Sequence, residues 1–157
     1  MSLLNWRPTT SNPTVDPNPR LEAYVTAVRR GASVYLLLDD VFDDPDDPRG
    51  NTATCAYVDG IASSESLELF CLTGNPTGNG IHNKMVLVHS GGQGWVHTGS
   101  INGSENSSKQ NRELAVQVKS TAGHDYLAEM FWHDWVSAGG QRPTDNKIYL
   151  PVVVKNN

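Results

Sequence analysis

Three pairs of polar residues in this 157-residue chain have one residue between their members: His82 and Lys84, Ser100 and Asn102, Asn111 and Glu113. In an extended segment, residues two apart share a face, so each pair presents its side chains together. If the three segments or their ends are neighbours, an imidazole, an ammonium, a hydroxyl, amides and a carboxylate converge. That inventory suits a phosphodiester. Lys84, Ser100, Asn102 and Asn111 supply donors for non-bridging phosphate oxygens and for the charge of a transition state, and Gly99 lets the backbone approach closely. A neutral His82 can attack phosphorus while Glu113 accepts the proton of the far ring nitrogen, fixing tautomer and orientation. This scheme uses no metal and no cofactor.

The elements around these pairs alternate between helix and strand. Asn18 is placed to cap a helix with Pro19 in its first turn and Leu21, Tyr24, Val25 and Val28 on one face, ended by Gly31. Residues 33–38 form an apolar run, as expected of a strand covered on both sides. A weaker helical stripe spans 51–63 around Gly60, and strands are expected over 67–72, 82–89, 95–101 and 113–119. The glycines of Ser90–Gly94 suit a hairpin between the runs 82–89 and 95–101. A helix follows over 124–137, with Leu127, Met130, Phe131 and Trp135 on one face and Gly139-Gly140 as a stop. A strand over 148–154 contains Pro151, which argues for a sheet edge. The order of elements indicates an α/β layer fold.

The residues also carry a family likeness. His82-Asn83-Lys84, Gly99-Ser100-Ile101-Asn102 and Asn111-Arg112-Glu113 resemble the HxK…GSxN…NxE signature of the phospholipase D superfamily. Arg30–Asp39 is similar to the strand segment that the family places before its second helix, and Phe131-Trp132-His133-Asp134-Trp135 resembles its FxxDW ending; the likeness covers roughly residues 20–136. It implies a mixed β-sheet flanked by helices on both faces, a phosphohistidine intermediate at His82, and a second histidine that protonates the leaving group. Only one motif is present, so the resemblance implies a second half from a homodimer partner or from another part of a longer parent chain. Two departures stand out. The family has Asp seven residues after its histidine, where this chain has His89, and the Gly-Ser pair comes about three residues late, a length the hairpin turn is expected to absorb. The odd spacing puts His89 on the strand face opposite His82, where it should affect packing more than phosphate contact.

Bulk composition narrows the setting. No apolar run approaches the roughly 18 residues of a membrane span, and a soluble domain without a signal peptide is expected. Residues 1–18, rich in proline, serine, threonine and asparagine, are expected to be an extended linker or edge ahead of a single domain over 19–157. Asp39, Asp40, Asp43, Asp44, Asp46 and Asp47 supply six of the 17 acidic residues behind a net charge of −5. Without them 11 acids face 12 bases, and no basic cluster marks a nucleic-acid surface. The acidic run lacks calcium-loop spacing and is expected to be a solvated loop. Cys55 and Cys71 are expected to be buried free thiols, a disulfide being the alternative. His97, His124 and His133 lack metal-ligand spacing and are expected to be surface or satisfied structural histidines.

The leading expectation is therefore a metal-independent phosphodiesterase of phospholipase D type, acting on a phospholipid or related diester by hydrolysis or transfer. A homodimeric nuclease of the same superfamily is the close alternative. A catalytically inactive phosphate-binding half-domain is the alternative from another class, supported only by the change at His89.

Overall fold

The computed structural model describes residues 18–102, 110–144 and 149–154. Helix α1 (Pro19–Arg29) starts where expected, with the side chain of Asn18 accepting a hydrogen bond from Arg20 N at 3.0 Å. Of the expected linker, residues 1–17 lie outside the described residues. Asn18 is fully buried and so belongs to the folded body, a correction at the linker's last position.

Strand β1 (Ser33–Asp39) is buried along its whole length, as its unbroken apolar run requires. Helix α2 (Asn51–Glu65) runs through Gly60 and ends at Ser66, which takes the left-handed conformation (φ 54°). That turn occupies residues 67 and 68, so β2 (Leu69–Gly74) begins two residues later than the pattern of apolar residues suggests. Strands β3 (Met85–Ser90) and β4 (Gln93–Gly99) form the expected hairpin, and β5 (Ala115–Lys119) pairs with β4. The hairpin turn is only Gly91-Gly92, both at positive φ (57° and 75°). The extra length relative to the family pattern therefore lies in paired strand, where Ser90 faces Gln93, and not in a long turn.

Helix α3 (Thr121–Ser137) begins at Ser120, whose hydroxyl accepts from Gly123 N at 3.0 Å. It buries His124, Phe131, Trp132 and Trp135; Met130, expected on the inner face, is half exposed, and Trp132 takes its place in the core.

Strand β6 (Tyr149–Val154) overturns the expectation of an edge. The sheet order is β2-β1-β6-β3-β4-β5, which puts β6 in the interior, parallel to β1 and antiparallel to β3. Its register with β3 covers only Val152 and Val153. At Pro151 the strand thus has one paired neighbour, Tyr35 of β1, and that local, edge-like condition is what a residue without an N–H needs.

The result is a mixed α/β sheet with helices on both faces, as expected. Val34, Leu36 and Leu38 of β1 pack with Leu21, Val25 and Val28 of α1 and Val58 of α2; Tyr35 and Leu37 point the other way, to Phe131, Trp132 and Trp135 of α3. Alternation along one strand thus serves two cores. The first core contains a Cys55–Cys71 disulfide joining α2 to β2, which corrects the expectation of free thiols. Sequence spacing could not reveal this pairing, because it depends on α2 lying over β2.

Candidate functional site

The end of β1, the start of β3, the end of β4 and the start of β5 meet along one rim of the sheet, because β3 and β5 run antiparallel to β1 and β4 runs beside them in reverse. Each polar pair sits on this rim, just outside a strand. His82 and Lys84 precede β3, Ser100 and Asn102 follow β4, and Asn111 and Glu113 precede β5. At the rim the strands expected over 82–89, 95–101 and 113–119 stop two or three residues short of the expected limits. That shortening frees the polar side chains from ladder positions.

Lys84 is buried, and its Nζ lies 3.5 Å from His82 Nδ1 and donates to the His82 carbonyl oxygen at 2.7 Å. His82 itself is exposed. Gly99 N donates to Lys84 O at 3.3 Å, which brings the Gly-Ser segment against the lysine. A Cβ at Gly99 would lie 2.2 Å from Leu114 O, so only glycine allows this approach. Ser100 N donates to Leu114 O at 2.9 Å, and the Ser100 hydroxyl accepts from Leu114 N at 3.0 Å. This double contact sets Glu113 beside the Gly-Ser turn. Asn111 Nδ2 then donates to Glu113 Oε1 at 3.1 Å. A continuous chain of contacts thus runs from His82 through Lys84, Gly99, Ser100 and Leu114 to the neighbour of Glu113. Asn102 is anchored through its carbonyl oxygen, which accepts from Arg20 Nη1 at 2.6 Å.

Three residues at this rim were not singled out for the site from sequence. Arg20, in the first turn of α1, holds the Asn102 backbone. Asp39, at the end of β1, is fully buried; its carboxylate accepts from Ile81 N and from Phe42 N (3.1 Å), and its carbonyl oxygen accepts from Asn51 Nδ2 at 2.6 Å. His97, partly buried, has its pKa lowered by desolvation and then by the nearby Arg20 charge, and its buried Nδ1 has no hydrogen-bond partner among the described residues. No spacing rule marks any of them, since Arg20 and Asp39 lie 82 and 42 residues from their partners.

His89 sits at the opposite end of β3, paired with Gly94, its ring 5.4 Å from that of His124 on α3. It shares a face with Met85 and Leu87, which pack toward α3. The family departure at this position is therefore remote from His82. His124 is buried, with Nδ1 2.9 Å from Asp125 Oδ1, whereas its Nε2 has no hydrogen-bond partner among the described residues.

The acidic run is more ordered than a solvated loop. Asp43 caps α2, accepting from Asn51 N at 2.6 Å and Thr52 N at 2.8 Å, and Asp47 pairs with Arg49 at 3.1 Å. The Arg49 contacts hold the Asp47 carboxyl below its ordinary pKa. Asp40, Asp44 and Asp46 face solvent. Among the described residues, no group of His, Cys, Asp or Glu is arranged to hold a metal ion.

A mixed sheet with His-x-Lys, Gly-Ser-x-Asn and Asn-x-Glu gathered at one rim has the pattern of a phospholipase D-like half. The chain matches, over residues 9–135, the family model described as cardiolipin synthase, PLD-like domain, and it belongs to that family. It is thus a member of a superfamily of phosphodiesterase-type enzymes. No match was found among curated proteins or among solved structures. No helix among the described residues is long and apolar enough to cross a membrane.

Proposed function

We propose that residues 19–157 form one phospholipase D-like domain that cleaves a phosphodiester through covalent catalysis at His82. The ring nitrogen facing phosphorus attacks and forms an N–P bond, and the P–O bond to the leaving group breaks. The other ring nitrogen keeps its proton and is oriented by Glu113. Lys84, Ser100, Asn102 and Asn111 carry the charge of the phosphoryl oxygens. A histidine from a second half, supplied by a homodimer partner or by a longer parent chain, gives its proton to the leaving alkoxide. Water or an alcohol then displaces the histidine, releasing a monoester or a new diester. The observation that carries this reading is the buried Lys84 ammonium held against His82, with the Gly99-Ser100 turn closed on the same segment.

A phospholipid is the proposed substrate, ahead of nucleic acid. Val41 and Phe42, 41% and 61% exposed, stand beside Gly80, two residues from His82: a Cβ at Gly80 would lie 3.3 Å from Val41 Cβ and 3.2 Å from a Phe42 ring carbon. An apolar lip suits a diester with hydrocarbon attached. The exposed Asp40, Asp44 and Asp46 on the same loop oppose a polyanion.

The test is turnover of bis-p-nitrophenyl phosphate in the presence of a chelator by wild type, His82→Ala and Lys84→Ala. Phosphatidylcholine vesicles and single-stranded DNA serve as competing natural substrates. Chelator-resistant turnover lost in both variants, with release of headgroup from vesicles, is expected. DNA cleavage that falls steeply with salt would replace the lipid by nucleic acid, and turnover surviving His82→Ala would overturn the mechanism.

A further inference from the structure

The segment that carries His82 is not part of a strand, so something else must hold it. It leaves the turn of β2 at Gly78 and Gly80, both at positive φ (78° and 79°), and enters β3 only at Met85. Between these points its backbone is tied to the sheet by Ile81 N, which donates to the Asp39 carboxylate. Ile81 is itself buried in the core under α3, one residue before the exposed His82. The other carboxylate oxygen of Asp39 accepts from Phe42 N. Both oxygens thus face N–H donors, in a side chain with no exposure to solvent. Gly80 closes against the same oxygen that Ile81 uses: a Cβ there would come within 2.6 Å of Asp39 Oδ1.

We infer that Asp39 is a positioning residue that fixes the His82–Lys84 segment, acting through the Ile81 amide. This rests on the proposed role of His82. A carboxylate is required because an amide in its place offers one acceptor where two donors converge, and its NH2 would oppose an N–H. Losing that tie lets the segment move relative to Gly99-Ser100, and a misplacement of about 1 Å at reacting groups costs on the order of 100-fold in rate. Phosphate recognition by Ser100 and Asn102, on another segment, is left in place.

The experiment compares wild type, Asp39→Asn, Gly80→Ala and the double variant of the full chain, by turnover of bis-p-nitrophenyl phosphate and by amide hydrogen exchange. Expected is a fall in kcat of roughly 10- to 100-fold in each single variant, with KM changed less than about threefold. The double variant should be no slower than the worse single one, because both changes break one contact. Hydrogen exchange should quicken at residues 81–85 while the amides of β1 and β2 stay slow. Equal kcat in Asp39→Asn and wild type overturns the inference. So does exchange that quickens evenly across the sheet, which marks a general loss of stability. If the wild type has no His82-dependent turnover, the proposed function fails on its own account, and exchange alone decides whether Asp39 holds the segment.

Discussion

All seven residues of β1 are buried, whereas along β5 the four residues from Val116 to Lys119 are exposed. The two strands belong to one sheet, and β1 ends at the rim where β5 begins, yet they are supported differently. The β1 side is covered by α1 and α2 on one face and by α3 on the other, and a disulfide ties α2 to β2. Among the described residues β5 is an edge strand, and Leu114 beside the Ser100 turn is 74% exposed. The nucleophile candidate is anchored from the rigid side, through Asp39. The residues proposed to orient it and to hold phosphate come largely from the exposed side. The proposed site is thus divided between a buried side and an exposed one.

The largest expected effect breaks the buried side at its tip. His82→Ala and Lys84→Ala should each lower chelator-resistant turnover by on the order of 10³-fold or more while leaving the far-UV circular dichroism unchanged. Next comes the disulfide, which closes a loop 16 residues apart in sequence. Replacing Cys55 and Cys71 by alanine should lower unfolding free energy by about 3 kcal/mol, measured in urea, with kcat of the folded protein preserved. A parallel loss of kcat would mean that the rigid side and the site are not separable. On the exposed side, Arg20→Met removes the donor to the Asn102 carbonyl. It should raise KM roughly tenfold, as expected of a hydrogen bond from a charged group, and have no further effect in an Asn102→Ala background.

Smaller effects sharpen the contrast. His97 has a folded pKa below its unfolded value, through desolvation and the Arg20 charge. Its contribution is therefore complete above the unfolded value of about 6.5 and is lost as pH falls through that value toward the lowered one. His97→Gln should flatten that decline in urea midpoints measured between neutral and acid pH. Smallest of all, Val118→Thr on β5 should change stability by no more than about 0.5 kcal/mol, as for other exposed positions. A much larger change, together with a shift in sedimentation, would place β5 in an interface between copies.

Much of this division was legible in the chain. The apolar run of β1 announced a strand buried on both faces, and the three polar pairs announced residues that gather at one rim, because period-two spacing and residue chemistry are local properties. The placement of β6 was not legible, since Pro151 is acceptable in an interior strand only where β3 stops pairing. The disulfide was missed for a similar reason: it depends on how α2 crosses β2. The strand limits were misjudged because His82, Lys84, Ser100, Asn102, Asn111 and Glu113 continue the alternation past the last ladder bond. Asp39 was visible as the end of the Arg30–Asp39 segment and the first of an acidic run, and its burial against Ile81 is a tertiary fact.

Bond formation between His82 and phosphorus is read by rapid alkaline quenching of the enzyme during turnover, followed by mass analysis of its peptides. A phosphoryl adduct with the mass of the substrate less its leaving group is expected on the peptide bearing His82, formed at the rate of leaving-group release and absent from His82→Ala. Steady turnover by the wild type, with no adduct at any time point and none on His82, would contradict it.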